Sequence, residues 1–511
     1  MRKNKRPILT LISLYGIENR GVRYISSFLK KHGFPVNIIF FKQWVNNAIR
    51  PPSQREMKLL MDLLSDLESS LIGIGLGTPY LRMAAQLTKE IKKRFKTPII
   101  WGGIHPTISP EDGIETADMV CAGEGEEPLL DLMRTLERGE SPERIPNLWI
   151  KVDGEMRKNP LRPLIEDLDR LPFPDYGGSD KYFIEGSRLK QYDPLLSDSE
   201  YRIYPTRGCP FNCKYCNNNI LRKIYQGKGR YYRFRSPENV IAELEYARDY
   251  FKNLHRIKFD GDTFFFPEEW IARFSSLYKK RIRIPFEILL HPDLANRQTL
   301  SQLRKAGLVK VQVGLQSGSK KELKEVYGRD TPNQQILNFA HLAKDLGIEV
   351  VYDLIWDNPL STRKDKKEML NMLLQIPRPF KIYMYSLTHF PKTALTNELL
   401  NSGRIKPEEV EGRATKSFRQ FRLSLWYPRP KEELFWISLS SLTSKTFIPK
   451  FFIRFLSRRP LLKRKPAPLK WLAFACDFLK ASGMAIEMLF QGELNSIKLK
   501  QYGSLKKLIS Q

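Results

Sequence analysis

The sequence predicts an α/β protein with three parts: an N-terminal doubly wound parallel sheet, a second α/β series of six βα units, and a mainly helical C-terminal region. Three observations carry this. From residue 7 to about 135, short apolar runs alternate with amphipathic stretches, the pattern of a parallel sheet covered by helices on both faces. The alternation resumes at Tyr201, after an interval broken by Pro142, Pro146, Pro160, Pro163, Pro172 and Pro174. Beyond about residue 400, aromatic and aliphatic runs mix with basic residues without strand periodicity. At 511 residues the chain exceeds what one compact core usually serves, and its 41% hydrophobic content is ample for several. The expected divisions are 1–140, 141–200, 201–400 and 401–511.

In the first series, strands are expected at Ile8–Leu14, Val36–Phe41, Leu71–Leu76, Pro98–Trp101 and Met119–Ala122, with helices over Val22–His32, Tyr80–Phe95 and Glu127–Arg138. The 141–200 interval reads as an ordered, proline-stiffened strap. In the second series, strands are expected at Arg202–Pro205, Arg256–Asp260, Phe286–Leu290, Lys310–Gly314, Glu349–Ile355 and Lys381–Leu387. Helices near Pro237–Tyr250, Pro267–Lys280, Gln298–Ala306, Lys320–Tyr327 and Pro332–Leu346 separate them.

Chemistry concentrates in Thr206–Asn219, TRGCPFNCKYCNNN, where Cys209, Cys213 and Cys216 stand in a C-x3-C-x2-C run. Three of the chain's five cysteines fall in this loop. Thiolates so closely spaced cannot easily pair into unstrained disulfides but can converge on a metal centre. Zinc would ask for a fourth ligand at short spacing, and the nearest later histidine is His255.

The spacing, the aromatic Tyr215 before the last cysteine and the lead-in RGCP together resemble the radical S-adenosylmethionine superfamily. The resemblance implies that Cys209, Cys213 and Cys216 hold three irons of a [4Fe–4S] cluster. The fourth iron is then left to S-adenosylmethionine, which is cleaved to a 5′-deoxyadenosyl radical. It also implies that the second series forms a partial (β/α)6, TIM-like barrel, whose chemistry sits at the carboxyl ends of the strands. Asp260 and Asp262, in FDGDTF after the second strand, stand where the family contacts the cofactor's amino group, although Asp262 also suits a helix cap. Gln316 and Ser317, in GLQSGS, match the family's G-x-[EQ]-S-G loop at the cofactor's ribose and carboxylate, with glutamine where glutamate is commoner. Tyr383, Tyr385 and His389 at the sixth strand are candidates to face substrate, or core residues.

Ligands of doubly wound sheets bind beyond the carboxyl ends of strands. Here those loops are glycine-rich: Gly75-Leu76-Gly77-Thr78, then Gly102-Gly103-Ile104-His105-Pro106-Thr107, then Gly123-Glu124-Gly125-Glu126. Upstream of the cysteine loop this order resembles the Rossmann-like cobalamin-binding domain of the cobalamin-dependent radical S-adenosylmethionine enzymes. It implies cobalamin contacts by Thr78, Gly102, Gly103, His105, Gly123, Glu124 and Gly125. His105 has a second reading, as a cap or a hydrogen bond within its loop. The D-x-H-x-x-G that would supply a lower axial histidine is replaced by Gly16-Ile17-Glu18-Asn19-Arg20-Gly21.

Lys and Arg outnumber Asp and Glu by 85 to 56, a net charge of +29, which points to an anionic partner. From Lys445 to Gln511 there are 14 basic and 3 acidic residues, beside apolar runs at Phe451–Ile453 and Leu469–Phe490. Asp477, Lys480 and Glu487 interrupt the second run, so an interfacial helix on an anionic membrane surface fits better than a membrane span. A solvated basic face is the alternative. The basic N-terminus lacks a signal-peptide cleavage pattern, and the clustered cysteines suit a reducing compartment. The expected location is therefore cytoplasmic, with a peripheral position on the inner face of the membrane.

These readings converge on an enzyme that methylates an unactivated carbon of a small-molecule or lipid-like substrate, with flavodoxin or ferredoxin as electron donor. Cyclisation or rearrangement without methyl transfer is the alternative chemistry. RNA modification ranks lower, because only Cys121 lies upstream to serve an additional cluster, and nucleic acid is not expected as a partner.

Overall fold

A computed structural model describes residues 6–43, 50–414 and 429–490. These residues divide into two compact units: 6–43, 50–286 and 389–414 form the first, and 287–388 and 429–490 the second.

The first unit is built on a nine-stranded sheet. Five parallel strands make its centre: β1 (Leu9–Leu14), β2 (Val36–Phe41), β3 (Leu71–Gly75), β4 (Ile99–Gly102) and β5 (Met119–Cys121), in the order β5-β4-β3-β1-β2. All but a few of their residues are buried, because helices cover both faces: α1 (Arg20–Lys31), α2 (Gln54–Asp66), α3 (Leu81–Arg94), the short α4 (Ile104–Ile108) and α5 (Pro110–Ile114), and α6 (Glu126–Arg138). Two apolar clusters result. One, on the α1 and α6 side, contains Leu11, Leu29 and Leu132; the other, on the α2 and α3 side, contains Ile12, Leu60 and Leu87. Helix α2 is absent from the sequence expectation, although its start carries a full capping box, Ser53 with Glu56.

The 141–200 interval does more than strap. It contributes two hairpins that extend the sheet: β6 (Leu148–Val152) and β7 (Glu155–Lys158) beyond β5, and β8 (Lys181–Glu185) and β9 (Arg188–Gln191) beyond β2. Here the prolines sit between strands rather than inside them.

Later in this unit, β10 (Glu200–Ile203) leads into β11 (Thr206–Arg207), the cysteine loop, α7 (Asn217–Ile224), β12 (Arg233–Phe234), α8 (Pro237–Tyr250), β13 (Arg256–Phe259) and α9 (Glu268–Arg281). β10 and β13 pair in parallel, and β11 pairs antiparallel with β12. The strand β14 (Phe286–Leu290) spans the division between the units.

The second unit holds α10 (Arg297–Ala306), β15 (Leu308–Gln316), α11 (Asn333–Asp345), β16 (Glu349–Trp356), α12 (Arg363–Gln375) and β17 (Lys381–Ser386), with β15, β16 and β17 pairing in parallel. The expected helix over Lys320–Tyr327 is a π-helical turn at Glu322–Val326. Two helices, α13 (Ala394–Asn401) and α14 (Pro407–Ala414), return the chain to the first unit. α15 (Lys431–Thr443), α16 (Lys450–Ser457), α17 (Pro460–Arg464) and α18 (Ala467–Phe490) make the C-terminal region helical. Among the described residues, no helix is long and apolar enough to cross a membrane.

Candidate active site

At the carboxyl ends of β1, β3, β4 and β5 the first unit encloses a cavity of about 580 Å³. Its walls include Gly75, Gly77, Gly102, Gly103, Gly123, Glu124 and Gly125, with Leu14, Leu76 and Ile104. Gly103 is required by the backbone: its φ is +112°, and a Cβ would fall 2.6 Å from the Leu76 carbonyl oxygen. Gly102 differs. A Cβ there would meet only the Cys121 Cβ, at 4.0 Å, so the space beside it is held open toward the cavity by the missing side chain alone. Its lining also includes Arg20, Tyr24, Tyr204, Thr206, Arg207 and Arg235. Arg20 packs its guanidinium 4.7 Å from the Tyr201 ring and bonds Tyr176 and the Arg202 carbonyl. Among the described residues, the buried Arg20 Nε and Thr206 hydroxyl have no hydrogen-bond partner.

A lining that combines glycines and orphaned donors suits a broad, flat group that carries peripheral hydrogen-bonding arms, as cobalamin does. Thr78 and His105 do not line this cavity. His105 is buried, with Nδ1 3.3 Å from the Thr78 hydroxyl; its Nε2 lies 3.3 Å from the Asp112 carboxylate but makes no hydrogen bond among the described residues. Glu18 points elsewhere: it lies 3.3 Å from Arg202, which also pairs with Glu200 and with Asp260 at 3.4 Å. Burial raises the Glu18 pKa above the usual glutamate value.

Past β11 the chain turns at Gly208, whose φ is +80° and whose missing Cβ leaves room for the Tyr231 carbonyl. Cys209 follows and is buried, while Cys213 and Cys216 are partly exposed. Cys216 caps the N-terminus of α7, where free backbone N–H groups and the helix dipole favour negative charge. The loop is pinned by backbone bonds from Cys216 N to Cys213 O at 3.1 Å and from Asn219 N to Cys216 O at 3.0 Å, and by Arg222, which grips the Cys209 carbonyl. Tyr215 is partly exposed in this loop.

Burial pushes the Cys209 thiol up to about 12 and Cys216 up to about 11, so holding either as a thiolate would take a cationic partner. Asn218 donates to the Cys216 sulfur at 3.6 Å and bonds the carboxylate of Asp262, a residue on the exposed side of the loop. Desolvation raises the Asp262 pKa, and its charge is felt at Cys209 and Cys216. Asp260 accepts from Arg202 at 3.4 Å and Tyr204 at 3.3 Å. The structure thus joins Cys216 to Asp262 through Asn218, with Cys209 and Cys213 in the same loop. Among the described residues, no group of three or more His, Cys, Asp or Glu side chains is gathered tightly enough for a single metal ion. A four-iron cube is wider and takes one thiolate per iron.

Gln316 and Ser317 belong to the second unit. Gln316 ends β15 at a bulge with φ +63°, and its amide lies over Gly314. The buried Ser317 hydroxyl donates to Glu322 and accepts from the Ser319 amide at 3.1 Å. Sequence reading did not single out Arg20, Thr206 or Arg207. Arg207 sits within the RGCP lead-in, but its partners lie too far along the chain to be legible.

Residues 203–373 match the model of the Radical SAM superfamily, and residues 8–133 match that of the B12 binding domain. An uncharacterized methyltransferase of Pyrococcus horikoshii is 26% identical, over 66% of this chain and 72% of its own. An anaerobic magnesium-protoporphyrin IX monomethyl ester cyclase of Rubrivivax gelatinosus is 24% identical, over 81% of this chain and 75% of its own. Among solved structures, the radical S-adenosylmethionine methyltransferase TsrM of Kitasatospora setae, with tryptophan and a cofactor analogue bound, superposes with a TM-score of 0.59 at 16% identity, covering 78% of this chain and 76% of its own. The chain belongs to the cobalamin-dependent radical S-adenosylmethionine enzymes. Its cofactors are accordingly a [4Fe–4S] cluster, S-adenosylmethionine and cobalamin.

Proposed function

We propose that this enzyme methylates an unactivated carbon of a lipid-like substrate while working peripherally on the inner, anionic face of a membrane, with flavodoxin or ferredoxin as electron donor. One observation carries the chemical part. Thr206 and Arg207, which lead directly into Cys209, line the same cavity as Gly102, Gly103, Gly123, Glu124 and Gly125. A group seated against those glycines is therefore adjacent to the strand that presents the cluster loop. When bound, the cluster supplies the electron that cleaves S-adenosylmethionine, and cobalamin supplies a methyl group that can be passed to carbon. In the net change, the substrate hydrogen leaves in 5′-deoxyadenosine and the new methyl carbon comes from S-adenosylmethionine.

The chain's own residues hold and orient. Cys209, Cys213 and Cys216 offer thiolates, and Asn218 fixes Cys216 and Asp262 together. Asp262 is the candidate for the cofactor's ammonium, and Gln316 and Ser317, in their own unit, are the candidates for its ribose and carboxylate. Thr206 and Arg20 offer donors to the arms of the corrin.

The C-terminal helices support the lipid part. Phe451, Leu461 and Leu479 are 74%, 67% and 65% exposed, and Phe455 and Trp471 are also exposed. Around them stand Lys450, Arg454, Arg458, Arg459, Lys463, Arg464 and Lys465, with no acidic residue from Leu434 to Cys476. Exposed apolar side chains amid cations are the composition of an interfacial surface, and each basic residue near an anionic bilayer adds about 1 kcal/mol.

The test is anaerobic turnover of the reconstituted enzyme with methyl-labelled S-adenosylmethionine and a membrane lipid extract. Label in an extractable lipid is the expected result; label confined to water-soluble products would refute the lipid reading. The cyclase relative, matched over 81% of this chain, favours a second reading of ring closure without methyl transfer. A product formed together with 5′-deoxyadenosine but free of label would select it.

A further inference from the structure

We propose that Glu124 is a positioning residue: with Arg207 and Arg233 it forms a brace that sets the spacing between the corrin cavity and the cluster loop. This rests on the reading of the cavity and of Cys209, Cys213 and Cys216 as the sites of those two groups.

The carboxylate of Glu124 receives four donors. Arg207 Nη1 reaches Oε1 at 3.0 Å, Arg233 Nη2 reaches the same oxygen at 3.0 Å, Arg233 Nη1 reaches Oε2 at 3.2 Å, and the Ile165 amide reaches Oε2 at 3.0 Å. A carboxylate has about four lone-pair sites, so Glu124 is saturated by protein although it lies in the cavity wall. It has no acceptor left for a ligand.

The register of the hairpin explains why so much is spent there. Arg207 on β11 and Arg233 on β12 are direct partners in the antiparallel pair. Like charges placed directly opposite repel, and these two carry the only strands that lead into and back from the cysteine loop among the described residues. Glu124 sits on both guanidiniums at once. Glu126, the next acid of the same loop, takes the other Nη of Arg207. The Arg233 side chain is 4% exposed and the Glu126 side chain 5%, so bulk water screens the group poorly. Burial opposes ionisation of Glu124, but Arg207 and Arg233 outweigh it and hold its pKa below the usual glutamate value.

Buried ion pairs contribute little net stability compared with well-packed apolar residues, but they fix geometry. The geometry fixed here joins the loop after β5, which walls the cavity, to a residue two positions before Cys209. Removing the charge of Glu124 leaves two facing cations, which spread the hairpin and move Cys209 relative to the glycine wall.

The experiment uses the full-length holoenzyme, loaded anaerobically with iron, sulfide and hydroxocobalamin. Pulsed electron paramagnetic resonance reads the distance distribution between the reduced cluster and cob(II)alamin. The wild type gives one narrow distribution. Glu124→Gln, which keeps the shape and loses the charge, gives a distribution at least twice as broad at wild-type iron and cobalt content. The double variant E124Q/R233Q, which also removes the facing cation, narrows it again. An E124Q distribution as narrow as wild type, or a double variant no narrower than E124Q, overturns the proposal. Should E124Q fail to retain either group, Glu126→Gln replaces it: a broadened distribution supports the brace and an unchanged one overturns it. A wild-type sample lacking the cluster or corrin signal overturns the reading of the two sites, and the brace with it.

Discussion

Replacing Gly102 by valine separates the cavity from the fold that carries it. An added Cβ meets only Cys121 at 4.0 Å, so the apoprotein gains no clash from it. Gly102 ends β4, its φ is not positive, and a β-branched residue suits a strand. Loss of glycine's freedom in the unfolded chain stabilises by about 0.4–1 kcal/mol where the native backbone tolerates the new residue. Apoprotein stability should therefore be unchanged or slightly raised. The two γ-methyls enter the cavity where we seat the corrin, and overpacking of this kind costs about 1–3 kcal/mol. That energy corresponds to roughly 5- to 150-fold weaker cobalamin binding. Urea unfolding of the apoprotein and anaerobic titration with hydroxocobalamin, both on G102V, measure the two sides. A G102V protein that unfolds like wild type and binds cobalamin equally well would refute the seating of the corrin against β4.

Arg23 and Asp193 are both fully buried and share two bonds, at 2.7 and 2.8 Å, so Arg23→Ala should cost about 3–5 kcal/mol in urea unfolding. A loss under about 1 kcal/mol would show that the pair is not buried as described. Burial alone would raise the Asp175 pKa, but Lys181, Lys30 and the Ser26 hydroxyl outweigh it and hold it below the usual aspartate value. A lowered carboxylate contributes stability above its unfolded pKa of about 3.9 and loses it as pH falls through the lower native value. Stability measured from pH 6 to 2 should therefore fall less steeply in Asp175→Asn than in wild type; parallel curves would contradict this. At the C-terminal helices, a Phe451→Asp, Leu461→Asp variant should lose most of its co-sedimentation with phosphatidylglycerol vesicles, and wild-type binding should weaken with salt. Equal binding to phosphatidylcholine vesicles, insensitive to salt, would contradict the electrostatic part.

The central strands were legible because buried parallel strands announce themselves as apolar runs: Val36–Phe41 and Phe286–Leu290 form over the expected residues. The cysteine loop was legible because its ligands are local. What escaped was long-range or two-sided. β6 to β9 are short strands, β7 and β9 fully exposed, that exist because the edges of an established sheet offer them partners. Glu124 looked like one more member of a glycine loop, because its partners Arg207 and Arg233 lie 83 and 109 residues away. Helix α2 is a different case: its capping box stood in the sequence as Ser53-Gln54-Arg55-Glu56, unread because no glycine or proline marked the end of the helix. Gln316 adopts φ +63° at a bulge that no propensity forecasts.

Joint possession of the two metal groups is the claim on which the rest depends, and a single anaerobic preparation tests it. The protein is produced with added cobalamin, and one sample is read for iron, acid-labile sulfide, cobalt and its visible spectrum. Four irons and one corrinoid per chain are expected, with the cluster lost and the corrinoid retained in a Cys209→Ala, Cys213→Ala, Cys216→Ala variant. A cluster-loaded wild type that binds no corrinoid, or a corrinoid that disappears with the three thiols, would contradict two separately built sites.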